Sequence, residues 1–210
     1  YPVAMLFALA FIPQFLVGGL SGIMLGTPSV DYAVNNSYFV VAHFHYTLFA
    51  GSVFGFFAGV YFWWPKATGF LLDERAGRVH FALMVIGANL TYLPMFFLGL
   101  KGMPRWLQTY PAGSGFSALS LASSIGAGFI GLAMIAFGYT VYVSARARRP
   151  AGPDPWGGHS LEWLTSSPPP RFNYDGQHPI PVIRSFTPAL DLRQRRGPGT
   201  AGQRAARPPG

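Results

Sequence analysis

The chain has 210 residues, half of them hydrophobic and only 10% charged, with a mean hydropathy of +0.31. Soluble domains carry about 25% charged residues, and from Tyr1 to Pro65 the only charged side chain here is Asp31, so a soluble domain is set aside in favour of an integral membrane protein. Cysteine is absent, which removes disulfides and thiolate metal sites, and much of the +8 charge gathers in an Arg-rich tail, where it marks the cytoplasmic side of a membrane rather than a nucleic-acid surface.

The chain opens at Tyr1 directly into apolar sequence, without a methionine start, a basic flank or a signal peptide, and reads as a fragment or processed product. The first apolar stretch, about Val3 to Leu25, is long enough to cross the ~30 Å hydrocarbon core as a helix. Its glycines, as in VGGLSG (Val17 to Gly22), would be costly in a soluble helix. In lipid such small residues let helices or a flat cofactor approach closely. The following link, Gly26 to Ser37, holds neither Lys nor Arg.

A second span is expected from about Tyr38 to Trp64, a third from about Gly77 to Leu100, and a fourth from about Phe116 to Val143. Strand-type alternation is absent, so helices are the spanning structure. Lys66, Arg75 and Arg78 fall in or beside the second link, and only Lys101 and Arg105 in the third. The positive-inside rule then turns the second link and the tail to the cytoplasm and the first and third links outward. Trp63, Trp64 and Trp106 fall near the interfaces, where aromatic belts form. After Arg149 proline, glycine and arginine dominate, which predicts an extended or disordered basic tail on the cytoplasmic face. The expected architecture is an all-α transmembrane bundle of about four helices over 1–146, followed by a tail over 147–210.

The informative segment is YFVVAHFHYTLFAG, Tyr38 to Gly51, which sets His43 and His45 inside an apolar span. An ionisable side chain at that depth is expensive and needs a partner or a function. Residues two apart on an α-helix are separated by ~200° around the axis and ~3 Å along it, so the two imidazoles leave opposite sides. They cannot chelate one metal, which would favour i, i+4 spacing, but they can serve two centres at nearly one depth. Haem iron is the centre best matched to a lone imidazole in apolar surroundings. The competing reading is a pair of structural histidines hydrogen-bonded within a non-catalytic membrane bundle.

The run VVAHFHY resembles the tenth-helix motif of haem–copper oxidase large subunits, in the branch that includes cytochrome c oxidases. FLVGGLSGIML (Phe15 to Leu25) resembles the ninth helix, and FAGVYFWWPKATG, HFALMVIGANLTYLP and FLGLKGMPRW follow in the family's order and spacing. The tail segment DPWGGHSLEWLTSSPPPRFN is similar to bacterial members. The resemblance implies that His43 is the proximal ligand of the oxygen-reducing high-spin haem and His45 an axial ligand of the low-spin relay haem. It sets Phe44 between the two haems, with simple packing an equal alternative. It implies that Arg105 binds a haem propionate, for which an Arg guanidinium is well suited, and that Asp31 lies near the propionates of the oxygen-binding haem.

Several positions depart from the family. Trp106 stands where a second arginine is usual, which removes one propionate contact. Asn35 and Asn36 replace a His-Asp pair that helps bind magnesium or manganese, and neutral amides are weaker ligands for a hard cation, so that site is not expected. Met95 and Phe96 replace Gln-His. His80 matches a family histidine that is no ligand and is expected to make a helix-end hydrogen bond, while His159 and His178 are expected to be exposed in the tail. No histidines remain for the family's copper centre, which is expected on upstream helices with the second low-spin ligand, so this chain alone should not reduce oxygen.

The whole enzyme implied is a respiratory terminal oxidase with two a-type haems and copper, reducing O2 to water and pumping protons in a bacterial plasma membrane. Its partners would be the upstream helices, other oxidase subunits, cytochrome c or, in a quinol oxidase of the same superfamily, quinol, with no nucleic acid.

Overall fold

The computed structural model describes residues 1–174 and 182–196, with side chains described through Gln194. It is all-helical in its regular structure, and four helices are long and apolar enough to cross a membrane: Val3–Leu25, Tyr38–Thr68, Glu74–Leu100 and Ser117–Ala147. The expected spans are therefore present, the second to fourth running a few residues further at one end or the other.

The described residues divide into two compact units, 1–62 with 72–146, and 63–71 with those from 147 onward. In the first, helix α1 (Val3–Leu25) starts where the Val3 amide donates to the Glu74 carboxylate at 3.0 Å. An anion at a helix start meets both an unpaired N–H and the positive end of the dipole. The short helix α2 (Pro28–Val34) has proline at its start, where the missing N–H costs nothing. Ser37 caps α3 (Tyr38–Phe44) by accepting from the Phe39 amide at 3.1 Å. α4 (Gly55–Thr68) completes the same span. Asp73 caps α5 (Glu74–Leu100) by accepting from the amides of Arg75 and Ala76, and α6 is Ser117–Ala147.

Between α3 and α4 the helix changes winding: His45–Phe54 form a π-helix. The uniform α-helix expected here is corrected by that wider turn, in which carbonyls fall out of the i→i−4 register. Within it the Thr47 hydroxyl donates to the carbonyls of both His43 (3.2 Å) and Phe44 (3.1 Å). π turns concentrate at functional sites, and this one begins on His45.

α1 packs along α3 and the π segment, and α5 packs along α3. The turn after α5 carries Gly102 at φ +84°, a left-handed backbone that suits glycine. It brings the GMPRW loop alongside the start of α3. There Tyr38 N–H donates to Met103 O at 3.0 Å and Arg105 N–H to Asn36 O at 3.1 Å, forming a bridge between Ser37 and Pro104.

The second unit is mostly irregular and extended, with a 3-10 turn at Leu161–Leu164 and a helix α7 (Pro188–Arg196). It has a local centre. Lys66 is buried, and its ammonium donates to the carbonyls of Pro153 (2.9 Å), Thr165 (2.9 Å) and Ser166 (3.3 Å) while lying over the Trp163 ring. A residue read from sequence as a charge of the second link and a tail read as extended or disordered thus form one polar knot.

Candidate functional site

His43 lies in the last turn of α3 and turns its ring toward α1. Its Nδ1 is 2.9 Å from Gly18 O and 3.1 Å from Ser21 Oγ. A carbonyl can only accept, so Nδ1 carries the proton and Nε2 keeps the lone pair. Ser21 Oγ itself donates to Gly18 O at 2.8 Å. The ring fits because of the glycines flagged in VGGLSG: a Cβ on Gly22 would lie 2.9 Å from His43 Cε1, and one on Gly18 would lie 2.7 Å from Thr47 Cγ2. α1 can approach the span this closely only where it has no side chains.

His45 turns elsewhere. Its Nδ1 donates to Val41 O, one turn back, at 2.8 Å, which again leaves the Nε2 lone pair free. Its ring stacks on Tyr92 of α5, with centroids 4.4 Å apart and planes at 19°. The two imidazoles thus share a tautomer, lie two residues apart, and face different helices. The contacts set His43 against α1 and His45 against α5, and the helix widens at the second histidine.

Phe44 lies between them in sequence and packs against His45 at 4.5 Å. Around this turn the lining is aromatic: Tyr46, Phe49, Tyr92 and Phe96 contact one another, and Tyr46 Oη donates to Asn89 Oδ1 at 2.9 Å. Phe96 is buried against Phe39.

Arg105 lies partly buried in the loop pinned beside the start of α3. Its guanidinium covers the Trp106 ring at 4.6 Å, and its Nε is buried without a hydrogen-bond partner. Such an orphaned charged donor is costly unless something accepts from it. Asp31 is half-buried in α2, and among the described residues its carboxylate makes no hydrogen bond or ion pair, to Arg105 or otherwise. Asn35 and Asn36 are exposed. Among the described residues no group of three or more His, Asp or Glu side chains comes together on a metal position.

His80 differs from its expected helix-end setting. It lies fully buried within α5, with Nδ1 3.1 Å from Tyr61 Oη and Nε2 without a partner, boxed by Phe7, Phe57 and Phe137. Its cage comes from separate parts of the chain, so nothing in its local sequence signals the burial. His159 is exposed, as expected, and His178 lies outside the described residues. Sequence reading also missed Tyr92, whose stack on His45 carries no spacing signal.

Residues 2–146 match the family described as cytochrome C and quinol oxidase polypeptide I. Cytochrome c oxidase subunit 1 of Thermostichus vulcanus is 51% identical over 180 residues, covering 86% of this chain and 32% of the relative. That of Bacillus subtilis is 44% identical over 189 residues, covering 90% of this chain and 30% of the relative. The chain spans about a third of the length of the curated relatives it matches. A heme-copper terminal oxidase dimer solved by cryo-EM shares the fold, with a TM-score of 0.60 at 18% identity over 70% of this chain and 27% of that one.

Proposed function

The chain belongs to the cytochrome C and quinol oxidase polypeptide I family, and from that premise we propose that it is the haem-holding carboxy-terminal part of the catalytic subunit of a respiratory terminal oxidase. In this reading His43 ligates the oxygen-reducing haem and His45 the relay haem. The observation that carries the proposal is the pairing of two rings two residues apart on one membrane helix, each tied by Nδ1 to a carbonyl and packed against a different neighbouring helix.

The residues fit the group the family implies. A haem needs a neutral imidazole with a free nitrogen, and both rings offer one. It carries anionic propionates, and Arg105 holds a buried, unpartnered donor beside the start of the same helix. Asp31 is assigned to the same outer edge by family resemblance alone. When bound, the haems supply electron transfer and, with copper held by upstream helices, the reduction of O2 to water coupled to proton translocation.

The side chains here do the rest. The carbonyls of Gly18 and Val41 accept from Nδ1–H, which draws electron density onto each ring and makes Nε2 a better ligand. Phe44, Phe49 and Tyr92 keep water from the relay side and lower the local polarity. The tail is assigned to the cytoplasmic face by its arginines, and cytochrome c is the expected donor. The family description also names quinol oxidases, and a dinuclear copper motif in the partner subunit decides between the two donors.

The test uses the full-length subunit assembled with its partners. His43→Ala removes the high-spin haem signature and oxygen consumption, while His45→Ala removes the low-spin signature. Retention of both signatures in both variants ends the proposal.

A further inference from the structure

We infer that Tyr92 is the positioning residue for His45: its ring holds the imidazole plane at one rotation and thereby sets the electronic signature of the iron bound there. This rests on the haem-ligand reading of His45 and goes beyond it, since the family resemblance assigns Tyr92 nothing.

His45 is held at one atom by its own helix, through Nδ1–H to Val41 O at 2.8 Å. One hydrogen bond fixes the tautomer and one edge of the ring, but rotation about the terminal bond of a histidine is broad and soft. The plane needs a second constraint. Phe44 touches the ring at 4.5 Å and 31°, yet it is the neighbouring residue and moves with the same backbone. Tyr92 comes from another helix and lies nearly parallel to the ring, at 4.4 Å and 19°.

Tyr92 is itself fixed. It is 8% exposed and meets Phe49 edge-on at 5.3 Å and Tyr46 at 6.5 Å. Three residues earlier on the same face of α5, Asn89 accepts from the Tyr46 hydroxyl at 2.9 Å and donates to Val85 O at 2.9 Å. Two anchors on α5, Asn89 and Tyr92, therefore grip Tyr46 and His45, adjacent residues of the π segment. The pair sets the register of α5 against the ligand, and Tyr92 sets the ring plane.

The plane of an axial imidazole governs its π overlap with the iron d orbitals, so protein groups that orient a ligand tune the metal. The ring face of Tyr92, and not its hydroxyl, does this work. Tyr92→Phe keeps the face; Tyr92→Leu and Tyr92→Met keep apolar bulk and lose it.

The assembled full-length oxidase carries the test, read by electron paramagnetic resonance of the ferric low-spin haem and by its reduced absorption band. Tyr92→Phe reproduces the wild-type g values. Tyr92→Leu and Tyr92→Met shift the largest g value and broaden it, with the CO spectrum of the high-spin haem unchanged as the control for folding. Wild-type g values and linewidth in either the Leu or the Met variant overturn the inference. His45→Ala, run in parallel, separates the two levels: if it keeps the low-spin signal, the haem-ligand reading of His45 itself falls; if it loses the signal while Tyr92→Leu retains the wild-type g values and linewidth, only the role of Tyr92 falls.

Discussion

His43 Nδ1 lies 2.9 Å from the carbonyl oxygen of Gly18, and this contact between neighbouring helices decides which ring nitrogen carries the proton. It also makes the orientation of the His43 ring depend on how closely α1 approaches. Gly22 controls that distance, because a Cβ there would sit 2.9 Å from His43 Cε1 and 3.7 Å from Nε2.

Gly22→Val is therefore expected to push the His43 ring off its carbonyl. Overpacking of this kind costs about 1–3 kcal/mol, which predicts roughly tenfold or greater loss of high-spin haem occupancy, with the low-spin haem retained. Gly19→Ala is the control, since a Cβ at Gly19 meets nothing within 4 Å. Haem content per assembled subunit checks both.

Arg105→Gln removes a partly buried cation whose buried Nε has no protein partner. A charge-assisted hydrogen bond is worth about 1.5–3 kcal/mol, so haem retention should weaken by about tenfold or more. Loss of positive charge near an iron disfavours its reduced form, so the midpoint potential falls. A redox titration of the assembled complex measures both the potential and the surviving haem.

Gly99→Ala probes the packing beneath the site. A Cβ there would collide with the backbone and Cβ of Phe39, at the start of the histidine helix. Backbone cannot step aside as a side-chain tip can. The expected result is loss of assembled complex, with both haems reduced together, measured as subunit yield in purified membranes.

Lys66→Met tests the second unit separately. It leaves the carbonyls of Pro153, Thr165 and Ser166 without their ammonium partner. Buried groups stripped of a charged partner cost about 1–3 kcal/mol or more. The segment 147–174 should become several-fold more sensitive to limited proteolysis, while both haem spectra remain as in the parent.

Much of this was legible in the sequence for a physical reason. A lipid-facing helix needs an unbroken apolar run, so the four spans appear directly as composition. Two histidines in such a run stand out because their desolvation must be compensated. The π turn at His45 was not legible, since a local change of winding leaves no period in the sequence. Lys66 was read as a charge of the second link and His80 as a helix-end residue. Their actual settings depend on groups far along the chain: tail carbonyls beyond position 150 for Lys66, and Phe7 and Phe137 for His80. Arg105 was legible as a residue, but its orphaned Nε required coordinates.

The division of labour between the two histidines is tested most directly by the CO difference spectrum of the reduced, assembled full-length oxidase. The account predicts that His45→Ala still binds CO at the high-spin haem, while His43→Ala loses that band and keeps the low-spin haem. A CO spectrum that survives in His43→Ala and disappears in His45→Ala would contradict it.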